Sequence, residues 1–359
     1  MTDIFKGCLL GMAVGDALGA TVDGKDYARI CQDYGPAGLL GYDLVNGCAN
    51  ISSHTQLAAF ALNGLLVCAN KGRTSQEDYL LYVARALEEW ANAQHLPGAP
   101  RSRCCWICQL PQMRQRRCLD PRTLDALTRG VTGTREAPSN ASTGPGNLAA
   151  AAMVGLYFSP ERMQPGEIGS LSARIVALTH GDPTAFLSGA VAAYALAGII
   201  QEPETALEAQ FTQAAQMVLG QFGRKYPQAK QVHDLVMQAI GAYHAPDLLP
   251  VQAMEQLGCH SAAQILAGAV YACLAHPDSF DEALVTAVNH SGRSCATAAL
   301  TGAIMGARLG ADAIPEFYLE TLESEPYLTT LARDLVVGNT TTGLFNDSWD
   351  QKYSFGMPV

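Results

Sequence analysis

The chain has 359 residues, of which 48% are hydrophobic and only 16% charged, with a net charge of −10. That composition suits a large buried helical body rather than a disordered chain, and its acidity argues against nucleic acid or an anionic membrane surface as partners. No uninterrupted apolar run reaches membrane-spanning length and the first residues do not form a cleavable leader. The eleven cysteines show no regular pairing framework, so reduced thiols and a cytoplasmic location are expected.

Apolar periodicity predicts a helix over Ile4–Leu18, with Gly19 as its stop. Helices are expected next at Gln56–Ala69 and Glu77–Gln94, the second with amphipathic spacing at Tyr79, Tyr82, Val83, Ala86, Leu87 and Trp90. Residues 95–147 are rich in Pro, Arg, Cys, Gly and Ser, and read as a loop-rich excursion with short helices. Helices resume at Leu148–Tyr157, Gly166–Leu178, Ala185–Ile200, Thr205–Phe222, Ala229–Tyr243, Ala262–Ala275 and Phe280–Val288. After a small-residue helix opening near Ser291 come Pro315–Leu322 and Leu328–Val336. Alternation of period two is scarce and no linker divides the chain, so the expected fold is all-α and one domain, 1–359.

The stretch 291–310 is the most informative. Ala296, Ala299, Gly302, Ala303 and Gly306 recur at three- and four-residue spacing, which allows one helix face to approach another at backbone distance. Glycine inside a soluble helix costs up to ~1 kcal/mol relative to alanine, so Gly302 and Gly306 need a packing reason.

This segment resembles the last signature of the ADP-ribosylglycohydrolase family (the dinitrogenase-reductase-activating glycohydrolase type), in which Ser-Gly-Asp-Ser-Asp-Ser/Thr opens a small-residue helix. Four further stretches are similar to the family in the right order. Gly11 to Gly19 looks like the opening Gly-x-x-x-Gly-Asp-Ala-Leu-Gly, and Asp23 falls where many members carry glutamate. Ser52-Ser53-His54-Thr55-Gln56 stands in place of Thr-Asp-Asp-Thr-Gln. Gly144-Pro145-Gly146-Asn147 stands in place of a glycine-rich loop, with Ala149-Ala150 where the loop usually ends in Met-Arg. Thr179-His180 is similar to the family's Thr-His signature.

The resemblance implies an ADP-ribosylglycohydrolase-like helical bundle and a pair of magnesium or manganese ions over the ribose being cleaved. Hard divalent ions want oxygen ligands. The positions implied as ligands hold Ser52, Ser53, His54, Arg293 and Cys295 instead, and Arg293 brings a permanent positive charge. No metal and no other cofactor is therefore expected. Asp16, Asp23, His54 and Cys295 are the candidate catalytic residues. Carried over from the family, His54 and Cys295 would face one another, and a histidine beside a thiol with Arg293 nearby would favour the thiolate. Gly144, Gly146, Asn147, His180 and Arg293 are the candidate ligand-binding residues.

Asp16 also reads as an ordinary helix-terminal carboxylate, Asp23-Gly24 as a turn, and His180 as a helix cap. Cys104, Cys105, Cys108 and Cys118 form only one clean metal-type pair, so a thiol-rich loop is favoured over zinc. The neighbouring arginines could offer forks to a pyrophosphate or an acidic partner, or lie in solvent. The expected partner is an ADP-ribose-like small molecule or an ADP-ribosylated target. Three functions are consistent with this: a binding protein that has lost metal hydrolysis, a hydrolase working by another route, and a structural protein with a closed cleft.

Overall fold

The apolar stretches condense into helices whose ends are marked by local capping groups. The computed structural model describes residues 2–95, 105–130, 132–158, 163–339, 349 and 352–353. Sixteen α-helices and no strand occur among the described residues. They are α1 (Thr2–Ala20), α2 (Tyr27–Tyr34), α3 (Ser53–Asn70), α4 (Gln76–His95), α5 (Pro121–Thr128), α6 (Leu148–Tyr157), α7 (Pro165–Ala177) and α8 (Pro183–Gln201). There follow α9 (Leu207–Phe222), α10 (Gln228–Tyr243), α11 (Pro250–Leu257), α12 (Ala262–Ala275), α13 (Phe280–Val288), α14 (Ser294–Leu309), α15 (Glu316–Glu320) and α16 (Glu325–Asn339).

The expected helices are present, three of them with the expected bounds; α5 is a short helix of the kind expected in the excursion, and α2 and α11 are additional. Helices α2, α5 and α11 are short, with few buried side chains. Asp26 caps α2 by accepting from the Arg29 N–H at 2.7 Å, and prolines open α5 and α11. Gly19 does not stop α1. The helix runs through it to Ala20 because Gly19 lies against the backbone of Ser294 and Cys295. Ahead of α12, Cys259 takes a left-handed turn (φ 47), and Ser261 caps the helix by accepting from the Gln264 N–H.

The organising contact is an antiparallel seam between α1 and α14. Gly7 meets Gly306, Gly11 meets Gly302, Gly15 meets Ala298 and Gly19 meets Ser294, one contact every helical turn. A Cβ at any of these four α1 glycines would collide with a backbone carbonyl of α14, as would one at Gly302 or Gly306 with α1. The intrinsic cost of glycine in a helix is thus offset by dispersion contact between two main chains.

Around this seam, α13 and α16 cover α14 and α1, while α3 packs on α4 and α6. Helix α8 lies among α6, α7, α9, α10, α12 and α14 and buries residues on all its faces. A helix surrounded in this way must be apolar all round. It is the one described helix long and apolar enough to cross a membrane, and 83% of its most apolar window is buried inside the protein. The buried apolar residues form one contiguous cluster from Phe5 to Tyr353.

Candidate functional site

The α1–α14 seam ends where α1 runs out and α14 begins, and the site is assembled there. Asp16, in the last turns of α1, is fully buried. Its carboxylate accepts the backbone N–H groups of Ser52 (2.8 Å) and Thr55 (3.1 Å), the Thr55 hydroxyl (2.6 Å) and, in a short bond, the Ser52 hydroxyl. Ser52 in turn caps α3 by accepting from the His54 N–H. Four donors from one helix start converge on Asp16, where the helix dipole also favours a negative charge. Asp16 thereby fastens α1 to α3.

Asp23 follows α1, in a turn completed by Gly24 at φ 76. Its oxygens accept from Arg293 Nε at 3.2 and 3.5 Å and from the Cys295 N–H at 3.2 Å. Arg293 is the N-terminal flanking residue of α14, and its side chain is about a third exposed (35%). Its two terminal nitrogens make no hydrogen bond among the described residues. Asp23 and Arg293 are thus brought together as an ion pair through Nε.

Cys295 is buried, and its sulfur lies 2.8 Å from the Cys118 sulfur. Burial, the Cys118 contact and the charge of Asp23 all push its thiol well above the usual range. Burial thus opposes the expected thiolate. The partner of Cys295 is a second cysteine, and desolvation outweighs the nearby guanidinium. His54, in the first turn of α3, is buried, and its Nε2 has no hydrogen-bond partner. Burial pushes its pKa down, helped by Arg293 and opposed by Asp16, Asp23 and Asp120, so the ring is neutral near pH 7.

Gly144, Gly146, Asn147 and His180 form a second group. The His180 ring is fully buried; its Nε2 bonds Asp120 at 2.7 Å and its Nδ1 bonds the Thr179 hydroxyl at 3.0 Å. Gly146, at φ 36, lies so close over this ring that a Cβ would collide with it. Gly144 N–H donates to the Ser142 hydroxyl. The glycines thus serve to seat a buried imidazole. His180 does not cap α8: Asp182 does, through the Thr184 N–H at 2.8 Å. Asn147 is buried beneath, with its Oδ1 unpartnered.

Two residues outside the expected site join these groups: Asp120, and Cys118, which the sequence places only in a thiol-rich loop. Asp120 bonds His180 on one side and feels the charge of Arg293 on the other. Burial opposes its ionisation, but the His180 bond, the Arg122 N–H and Arg293 together hold its carboxyl below the usual value. Cys118 meets Cys295, while its carbonyl accepts from Ser53 Oγ at 3.0 Å. Both lie in the loop-rich excursion, where no periodicity marks a direction. The Asp-Pro pair at 120–121, a helix-start signal, was the one usable clue.

The arginines of this excursion mostly make internal ties. Arg117 pairs with Glu323 and donates to the Ile51 carbonyl, and Arg116 Nε donates to the Gln94 carbonyl at 2.7 Å. Cys105 and Cys108 lie against Glu89; Arg101, Arg103 and Cys104 lie outside the described residues.

The donor set does not fit a pair of hard divalent ions. Asp16 is saturated by four donors, Asp23 is committed to Arg293 and to the Cys295 N–H, and Asp120 to His180 and the Arg122 N–H. A guanidinium lies beside these carboxylates, and the remaining side chains are hydroxyl, thiol and imidazole. What the arrangement offers instead is a guanidinium fork beside the helix starts of α3 and α14, a setting suited to an anion.

The comparisons agree with this architecture. A solved structure described as an ADP-ribosylglycohydrolase-related protein complex aligns over 94% of this chain and 99% of its own, with TM-score 0.59 and 23% identity. An uncharacterized protein of Archaeoglobus fulgidus is 27% identical over 342 residues, covering 93% of this chain and 96% of that one. The profile of the ADP-ribosylglycohydrolase family matches residues 1–343. The chain therefore belongs to the ADP-ribosylglycohydrolase family.

Proposed function

We propose that the protein binds an ADP-ribosyl-like or other nucleotide-sugar ligand, free or on a modified target, and has lost hydrolysis by a dinuclear metal centre. The observation that carries this reading is the Arg293–Asp23 pair at the start of α14. It puts a cation and its counter-ion where the family resemblance implies a metal ligand. The Arg293 side chain is 35% exposed, and the guanidinium nitrogens not used by Asp23 can take two oxygens of a pyrophosphate in a bidentate fashion. The helix starts around it add favourable partial charge.

Hydrolysis needs a water made nucleophilic at neutral pH, which a metal ion or an unoccupied general base can supply. Asp16 and Asp23 already spend their acceptors within the protein. His54 alone offers an uncommitted ring nitrogen, and it is buried. A binding role follows more directly than a catalytic one.

Titration calorimetry with ADP-ribose, once in chelator and once with manganese, tests this. Equal affinity in both, weakened at least ~10-fold by Arg293→Ala, is expected for a charge-assisted bidentate contact. Release of ADP-ribose from modified arginine or serine should stay at background. Robust, chelator-sensitive turnover by the unmodified protein would contradict the proposal.

A further inference from the structure

The ten described cysteines are all free thiols, and two of them meet. Cys118 and Cys295 are separated by 177 residues in sequence, and their sulfurs lie 2.8 Å apart. That is inside the non-bonded contact distance of about 3.5–4.0 Å between heavy atoms, and roughly 1 Å of movement from a covalent S–S bond.

The approach is built. Cys118 has φ 43, a left-handed conformation that non-glycine residues rarely take. It is kept there from both sides. The Ser53 N–H donates to the Arg117 carbonyl at 3.0 Å, Ser53 Oγ donates to the Cys118 carbonyl at 3.0 Å, and Arg117 is anchored on Glu323. Cys295 is held by its own N–H on Asp23 and by the rigid start of α14. Strain that persists because its surroundings over-determine it points to a role for the side chain it presents.

A metal reading is weaker. One ligand atom each of Asp23, Cys118 and Cys295 lies within 4.8 Å of the others. Asp23, however, already accepts from Arg293 and from the Cys295 N–H, and the guanidinium opposes a divalent ion there.

We propose that Cys118 and Cys295 are a reversible redox pair whose disulfide locks the loop bearing Asp120 onto α14. The oxidant class is a peroxide. Cys118, the more exposed of the two, attacks one peroxide oxygen; the O–O bond breaks, giving a sulfenic acid and one water. Cys295 then attacks the Cys118 sulfur, an S–S bond forms, and the hydroxyl leaves with the Cys295 proton as a second water. The two thiols give two electrons to the peroxide. A thiol reductant reverses the bond by exchange and departs as its own disulfide. Because Asp120 follows two residues later and holds His180, the bond ties the excursion to the side of the site that carries Arg293.

The test uses the full chain and no ligand, so its outcome is separate from that of the binding proposal. The reduced protein is treated with hydrogen peroxide, alkylated, digested without reductant and mapped by mass spectrometry. A Cys118–Cys295 cross-linked peptide, lost on reduction and absent in Cys118→Ser, is the expected product. Amide exchange over residues 115–120 should slow at least ~10-fold on oxidation of the unmodified chain and stay unchanged in Cys118→Ser. Oxidation that consumes Cys31 and Cys48 but leaves this pair unlinked would overturn the proposal. So would a linked pair with unaltered exchange, or a tightly retained zinc ion that blocks linkage.

Discussion

The α1–α14 seam and the cluster at its end share the same pair of helices, yet the two regions use their residues in opposite ways. Along the seam, glycines and an alanine let two main chains touch every turn, and side-chain chemistry is irrelevant there. At its end, Asp16 on α1, Cys295 on α14, and Asp23 and Arg293 in the segments flanking them are each tied to another part of the protein. The seam tolerates only small residues, because anything larger meets a carbonyl. The end tolerates chemical change as long as each buried polar atom finds a partner.

The strongest way to break this contrast is at Asp16. If that carboxylate is structural, Asp16→Ala strands four buried donors and should cost about 3–5 kcal/mol in a denaturation experiment. A change under ~1 kcal/mol would mean that Asp16 does not hold α3.

Acid should also strike this end of the molecule. His290 is buried just before α14, with Nε2 on the Ala287 carbonyl and Nδ1 accepting the Gly292 N–H. Burial pushes its pKa down from 6.5 to about 4. A folded pKa below the unfolded one contributes stability that is complete above about 6.5 and is lost as pH falls toward 4. A shift of that size corresponds to about 3 kcal/mol. His54, also lowered, acts in the same direction from the same upper edge, and Asp120 adds to the loss at still lower pH. His290→Gln should flatten the fall in unfolding midpoint between pH 6.5 and 4, and an unchanged slope would assign it to other groups.

Substitutions in the seam sharpen the other side. Alanine normally favours a helix over glycine by about 1 kcal/mol. Gly302→Ala should instead destabilise by about 2–3 kcal/mol, since a methyl group would meet the Gly11 carbonyl. Gly220 in α9 and Gly241 in α10 have open space around the missing Cβ, so alanine there should stabilise by about 0.5–1 kcal/mol each. Equal signs at all three positions would remove the seam as an explanation for its glycines. The smallest effect belongs to Arg293→Ala. The pair with Asp23 is partly solvent-screened, so stability should change by less than about 1 kcal/mol while ADP-ribose affinity falls.

Much of the fold is legible in the sequence because its helices are long and apolar on whole faces. Leu148–Tyr157, Ala262–Ala275 and Phe280–Val288 have the bounds their periodicity predicts. The small-residue spacing of 296–306 announces a close approach, but only the structure names α1 as the partner and turns Gly19 from a stop into a contact. Within the site, Asp23 and Arg293 can be singled out from motif position, although their pairing cannot. Asp120 escapes notice and Cys118 reads only as part of a thiol-rich loop, because loops carry no period and their roles depend on partners far away in sequence, 60 residues for His180 and 177 for Cys295. The same distance effect hides the neighbour of Cys295, which motif position alone assigns to His54.

Side chains partner one another where the family resemblance implies metal ligands. Electron paramagnetic resonance titration of manganese measures this most directly, because bound ions lose the sharp signal of the free ion. The unmodified chain should leave all manganese free up to millimolar concentration, whereas the combined Ser53→Asp, His54→Asp, Arg293→Asp and Cys295→Asp chain should begin to take it up. Two equivalents bound tightly by the unmodified chain would contradict the account.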